Sequence, residues 1–121
     1  MIIPVGPRTY GGATLRVAVP VALPLHLRAA VREVVGMKSA NPGQGDASLL
    51  LLAVCSEADA ADTALFLHVD PTDEAAMTRE QMAAWYNRAG FVLVQADPAL
   101  MMRMPGGAAA FNAMMGAAGC D

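Results

Sequence analysis

Residues 63–71, TALFLHVDP, are the stretch that decides the fold. Five of the six residues from 64 to 69 are apolar, and such a run is typical of a strand in the middle of a sheet. The residues before it, SLLLLAVCSEADAAD (48–62), predict a helix whose first half is apolar over most of its surface. We therefore expect this helix to be buried on more than one side and to lead into a central strand at 64–70.

The residues after this strand predict a helix and a hairpin. Thr78 and Gln81 form a T-x-x-Q capping box, which indicates that a helix begins there. Gly90 stands where glycine commonly follows a helix, so we expect the helix to run through Ala89. FVLVQADP and ALMMRMP then predict two short strands joined by a turn at 96–98.

The residues before the apolar helix leave one alternative open. The β-branched run at 14–19 predicts a strand that ends at Pro20. Apolar residues at helical spacing favour a helix over 23–37, and a strand over 31–37 is the competing interpretation. SANPGQGDAS (39–48) predicts a glycine-containing loop. The order of elements predicts a mixed α/β or α+β domain, with helices flanking the central strand.

Length and composition predict one domain that self-associates or binds a protein partner. We assign residues 13–105 to the domain, 1–12 to an N-terminal extension, and 106–121 to an apolar tail that is either flexible or docked on a partner. The chain is 55% hydrophobic and 16% charged, so we expect a homo-oligomer or a protein partner. Eleven acidic and eight basic residues give no basic excess, which argues against nucleic-acid binding.

The sequence also predicts a cytoplasmic protein without a membrane span or metal site. No stretch reaches the roughly 18 apolar residues that a transmembrane helix needs, and the N-terminus does not resemble a signal peptide. Two cysteines do not form a disulfide framework, and we expect Cys55 to pack in the core. His26 and His68 are too far apart in sequence to indicate a metal pair, and we expect His68 to be a core histidine on the central strand.

The glycine loop before the apolar helix has two interpretations. GQGDA (43–47) is typical of a tight turn that leads into a helix. Alternatively, glycines allow the backbone to approach an anion, and the free N–H groups of a first helical turn can bind phosphate oxygens. Asp46 would place a negative charge beside that phosphate.

Two stretches of the chain together resemble the GCN5-related N-acetyltransferase (GNAT) superfamily: GQGDASLLLLAVCSEADAADTALFLHVDP and TREQMAAWYNRAGFVLVQADPALMMRMPG. That family has a glycine loop, a Leu/Ala-rich helix, a strand ending in valine, and a helix that closes with Tyr-x-x-x-Gly-Phe. The resemblance covers about residues 41–106. The matching positions are Gly43, Gly45 and Ala47 in the loop, Leu49, Leu50, Ala53, Glu57 and Ala58 in the helix, Leu65, Leu67 and Val69 in the strand, and Tyr86, Gly90 and Phe91 in the closing motif.

The resemblance implies a shortened GNAT-like fold that binds acetyl-CoA and transfers its acetyl group to an amine. Tyr86 matches the tyrosine that often protonates the departing CoA thiolate. Either 15–19 or 31–37 would supply the strand that splays from the central strand to form the slot for the pantetheine arm. If 31–37 supplies it, Glu33 becomes the candidate general base. The candidate cofactor-binding residues are Gly43, Gln44, Gly45, Asp46, Ala47, Ser48 and Arg88.

The chain departs from the family pattern at three points. Pro42 stands where the family has an arginine or glutamine, Arg79 stands where it has an asparagine, and only 42 residues precede the loop. Two hypotheses follow: an acetyltransferase acting on an unidentified amine, or a non-catalytic binding or assembly protein derived from the same fold. Small GNAT-like proteins encoded by bacteriophages look similar, which would give the second hypothesis a structural or host-directed role.

Overall fold

A computed structural model describes residues 2–21, 23–40, 45–69 and 78–106. These residues form a mixed α+β fold with a six-stranded sheet of order β1-β2-β3-β4-β6-β5, which confirms the predicted class. The strands are β1 (Gly6–Tyr10), β2 (Ala13–Ala18), β3 (Val31–Ser39), β4 (Ala64–His68), β5 (Val92–Ala96) and β6 (Ala99–Arg103), and the helices are α1 (Asp46–Ala60), α2 (Arg79–Arg88) and a short 3-10 helix (Leu25–Leu27).

The chain divides into two compact units, with the boundary between Phe66 and Leu67 inside β4. The first unit holds β1, β2, β3, α1 and the start of β4. In it, β1 and β2 form an antiparallel hairpin, β3 pairs antiparallel with β2, and β4 pairs parallel with β3. No element was predicted for the residues of β1, and the division of the chain at residue 13 stays a prediction.

The predicted helix over 23–37 is wrong. Only Leu25–Leu27 is helical there, as a 3-10 turn, and Val31–Ser39 forms β3. The competing strand interpretation is therefore the one that the fold adopts. Apolar residues three and four apart satisfy a helical period, but β-branched residues pack well on a sheet surface, and β2 and β4 pair with this segment from both sides.

Helix α1 begins two residues earlier than predicted and is buried on one side. It packs against β1, β2 and β3. Leu49 and Leu52 are 49% and 52% exposed, so the expectation of burial on more than one side is wrong. A single sheet covers only one stripe of a helix. The buried residues share that stripe and are Leu50, Leu51, Val54, Cys55 and Ala58, so Cys55 lies in the core as predicted.

The second unit contains the end of β4, α2 and the β5–β6 hairpin. The predicted capping box is present, because the Thr78 hydroxyl accepts from the Gln81 N–H and the Gln81 side chain accepts from the Thr78 N–H. The predicted hairpin is also present, with antiparallel strands joined at Asp97–Pro98. His68 is exposed, so the expectation of a core histidine is wrong: its side chain lies in solvent although Leu67 before it and Val69 after it are buried.

No helix in the described part of the chain is both long enough and apolar enough to span a membrane.

Candidate functional site

The glycine loop reaches the described part of the chain at Gly45, since Gly43 and Gln44 lie outside the described residues. Gly45 is the N-cap of α1 and has φ +83°, in the left-handed region that glycine adopts without steric cost. A Cβ there would meet no atom within 4 Å, so backbone conformation, not space, favours glycine. The Gly45 carbonyl accepts the first helical hydrogen bond, from the Leu49 N–H at 3.0 Å.

Asp46, the first residue of α1, has its carboxylate on the turn of the β1–β2 hairpin. Its Oδ2 accepts a hydrogen bond from the Gly12 N–H at 3.1 Å. A Cβ on Gly11 would lie 2.6 Å from the same oxygen, so the turn contacts the carboxylate directly. A negative charge in a first helical turn is favourable to the helix dipole. Asp46 therefore joins the hairpin to α1, and its charge lies at the helix end where a phosphate would bind.

Ala47 and Ser48 complete the first turn of α1, and both are half-buried. The N-cap glycine provides no side-chain hydrogen bond to this turn. The backbone N–H groups of a first turn have no partner within their own helix. The start of α1 thus offers backbone donors of the kind that bind anions.

Strand β3 pairs with β4 over only part of its length. The parallel pairs are Val31 with Ala64, Arg32 with Leu65 and Glu33 with Phe66. Beyond Glu33, β3 runs on to Ser39 in pairing with β2. The β2–β3 register shifts at Gly36, which has φ +67°; such a bulge bends a strand and increases its twist. Half-buried Glu33 stands at the last position that β3 shares with β4.

Tyr86 lies in the last turn of α2 and is only 4% exposed. Its ring lies 5.0 Å from the Trp85 ring and 5.6 Å from the Phe91 ring, the latter in an edge-on arrangement. Burial raises the pKa of the Tyr86 phenol from 10.0 to about 12, because the low-polarity surroundings disfavour the phenolate. The phenol is therefore protonated at neutral pH and is a hydrogen-bond donor.

Arg88 is exposed in the same turn as Tyr86, where a cation is favourable to the C-terminal end of the helix dipole. A second arginine near the end of α2 was not predicted from the sequence. Arg103 on β6 is 7% exposed, and its Nε donates to the Ala89 carbonyl at 2.7 Å. The available signal was a lone charge in the otherwise apolar strand ALMMR.

The two compact units divide the candidate residues between them. The first unit holds the start of α1 and, on β3, Glu33. The second unit holds Tyr86 and Arg88 on α2. Among the described residues, no group of three or more His, Cys, Asp or Glu side chains is arranged to hold a metal ion.

Comparison with protein families gives no match, and no curated protein sequence matches the chain. Among solved structures, the chain is similar to the crystal structure of the anti-CRISPR protein AcrVA5. The TM-score is 0.64 at 16% sequence identity, and the match covers 83% of this chain and 98% of that one. At this identity the similarity establishes a shared α+β fold and nothing about activity.

Proposed function

We propose that the protein is an acetyl-CoA-dependent N-acetyltransferase that acts on an amine. The observation that carries this proposal is the pairing of β3 with β4, which are parallel and stop pairing after Glu33 and Phe66. The family that the sequence resembles uses a strand that splays from the central strand to admit the pantetheine arm. Strand β3 is suited to that task, and the bulge at Gly36 bends it beyond the last shared pair.

The start of α1 is the proposed binding site for the pyrophosphate of acetyl-CoA. The residues assigned to it are Gly43, Gln44, Gly45, Asp46, Ala47 and Ser48, with Arg88 as a further cofactor-binding cation. Backbone N–H groups and the positive end of the helix dipole would both contact the phosphate oxygens. The negative charge of the Asp46 carboxylate repels a bound phosphate, but the carboxylate also accepts a hydrogen bond from the Gly12 N–H, which stabilises its charge.

The proposed reaction is a direct acetyl transfer. Glu33 accepts a proton from the ammonium group of the substrate, and the neutral amine nitrogen attacks the thioester carbonyl. The N–C bond forms, the C–S bond breaks, and the electron pair leaves with the CoA sulfur. The nitrogen releases its second proton to solvent, and solvent returns a proton to Tyr86 after its own proton has gone to the sulfur. Much of the rate would come from holding the amine against the thioester.

Tyr86 is the proposed donor to the departing sulfur. Its pKa of about 12 lies above the roughly 8.5 of an ordinary thiol, so complete proton transfer to a solvated thiolate would be uphill. A hydrogen bond from the phenol to a sulfur that is itself desolvated stabilises the developing charge, and transfer of the proton then completes the step.

Calorimetric titration of the full chain with acetyl-CoA tests the proposal. We expect binding, and we expect Tyr86→Phe to lower acetyl transfer to a set of amines while leaving acetyl-CoA affinity nearly unchanged. Tyr10→Phe is the matched control, because the Tyr10 side chain is 48% exposed on β1. Absence of binding at high micromolar protein would refute the proposal, and equal transfer by Tyr86→Phe would remove Tyr86 from the mechanism.

A second candidate function is a host-directed binding protein without acetyl transfer. It is favoured by the name of the structural neighbour, an anti-CRISPR protein, and by exposed leucines, among them two on α1 and one on β5. Leu49 and Leu52 lie on α1, and Leu93 lies on β5 at the edge of the sheet. Contiguous exposed apolar patches mark protein–protein interaction sites, and Leu49 and Leu52 lie three residues apart on α1. Either function would be carried out in the cytoplasm.

Two experiments separate the candidates. Expression of the chain and of Tyr86→Phe in a CRISPR-interference assay should show equal inhibition if binding alone acts, and a loss with the variant if acetyl transfer acts. Molecular size in solution, measured with and without residues 106–121, tests self-association. A monomer in both forms would exclude a homo-oligomer.

A further inference from the structure

A buried arginine on β6 has no role in the proposed function. Arg103 is 7% exposed, whereas arginine is almost never fully buried unless it is paired. Removing a guanidinium from water costs several kcal/mol, which its partners must offset. Methionine, which occupies the neighbouring positions Met101 and Met102, could fill the same space without that desolvation cost.

The Arg103 side chain is bonded to the end of α2. Its Nε donates to the Ala89 carbonyl over 2.7 Å, the short distance of a charge-assisted hydrogen bond. Ala89 is the C-cap of α2, and the last carbonyls of a helix have no partner within it. They also form the negative end of the helix dipole, where a cation is favourable.

The same turn is fixed to Phe91, the residue before β5, by a second set of bonds. The Ala89 N–H and the Phe91 N–H both donate to the Tyr86 carbonyl, at 2.9 Å and 3.2 Å. The Asn87 side-chain amide donates to the Phe91 carbonyl at 2.9 Å. The backbone of Tyr86 is thus tied to Ala89, the residue that Arg103 contacts.

We propose that Arg103 is a positioning residue, which holds the last turn of α2 so that the Tyr86 phenol keeps its buried orientation between the Trp85 and Phe91 rings. This inference deepens the proposed function, on which the role of Tyr86 as a donor rests. Arg103 acts through the Ala89 carbonyl and not by its charge on the phenol, since burial is the cause of the raised pKa of Tyr86. A misplacement of about 1 Å at such a group can cost a hundredfold in rate.

Ultraviolet titration of the phenol tests the inference without any cofactor. The chain has two tyrosines, so a Tyr10→Phe background leaves Tyr86 as the observed group. In that background we expect Arg103→Met to increase the ionisation constant of Tyr86 tenfold or more, because the loosened turn admits water. Arg103→Lys should restore most of the difference, since an ammonium group can also donate to the Ala89 carbonyl. Arg79→Met removes an exposed cation from the first turn of the same helix and should leave the titration unchanged.

Two outcomes would overturn the inference. One is a folded Arg103→Met chain whose Tyr86 titrates as in the parent, and the other is a Lys variant that titrates like the Met variant. If the Met variant does not fold, Arg103→Gln takes its place, because glutamine has a neutral donor with shorter reach. Kinetics supply a second measurement: kcat should fall with the KM for acetyl-CoA nearly constant. The titration tests the role of Arg103 even if acetyl-CoA does not bind, so failure of the proposed function and failure of this inference are distinguishable.

Discussion

The buried phenol of Tyr86 predicts a specific dependence of stability on pH. The pKa of Tyr86 is 10.0 in the unfolded chain and about 12 in the folded one, so the unfolded state releases its proton first as the pH rises. The contribution of Tyr86 to stability is therefore fully present below pH 10 and is lost as the pH rises through 12. From these two values the free energy of unfolding should fall, relative to pH 9, by about 1 kcal/mol at pH 11 and about 2 kcal/mol at pH 12.

Urea unfolding at a series of pH values from 9 to 12 measures this loss. The chain and its Tyr86→Phe variant are compared at each pH, so that other groups that titrate in this range cancel in the difference. Across the series, the free energy of unfolding of the unsubstituted chain should fall by about 2 kcal/mol relative to that of Tyr86→Phe. Tyr10→Phe, at a half-exposed side chain, should give a curve parallel to that of the unsubstituted chain. Parallel curves for Tyr86→Phe as well would refute the buried, protonated phenol.

Three further substitutions test the local geometry of the fold. Gly36→Ala should cost about 1 kcal/mol by urea unfolding, because φ is +67° and the space around it is open. Gly11→Ala should cost more than Gly36→Ala, because its Cβ would also lie 2.6 Å from the Asp46 carboxylate. An equal cost for the two variants would contradict the contact. So would a cost of Gly11→Ala that is not reduced when Asp46→Ala is also present. Thr78→Ala should cost about 1 kcal/mol through loss of the N-cap bond, and Thr78→Ser should be close to the parent in stability. An unchanged urea midpoint for the alanine variant would count against the capping box.

The features that the sequence predicted correctly depend on residues close together in the chain. The capping box joins Thr78 to Gln81, and the β5–β6 hairpin needs only a two-residue connection between apolar strands. A central strand at 64–70 was predicted from its near-continuous apolar run, and β4 spans Ala64–His68. In each case the sequence pattern lies within a few consecutive residues, so local sequence carries enough information.

The features that the sequence missed depend on distant partners. Residues 31–39 form a strand because β2 and β4 pair with them, a choice that their ambiguous spacing does not make. Residues as separate as Asp46 and Gly12 meet in one hydrogen bond, and the burial of Arg103 depends on the helix end opposite it.

By itself, then, the sequence determined the α2 cap, the hairpin and the central strand, together with a family resemblance that names Tyr86 and the glycine loop. Only the tertiary structure decided that β3 is the parallel partner of β4 and that Glu33 stands at their last shared pair. It also decided that the phenol of Tyr86 is buried. Pairing and burial depend on which surfaces meet after the chain folds, and residues far apart in sequence provide those surfaces.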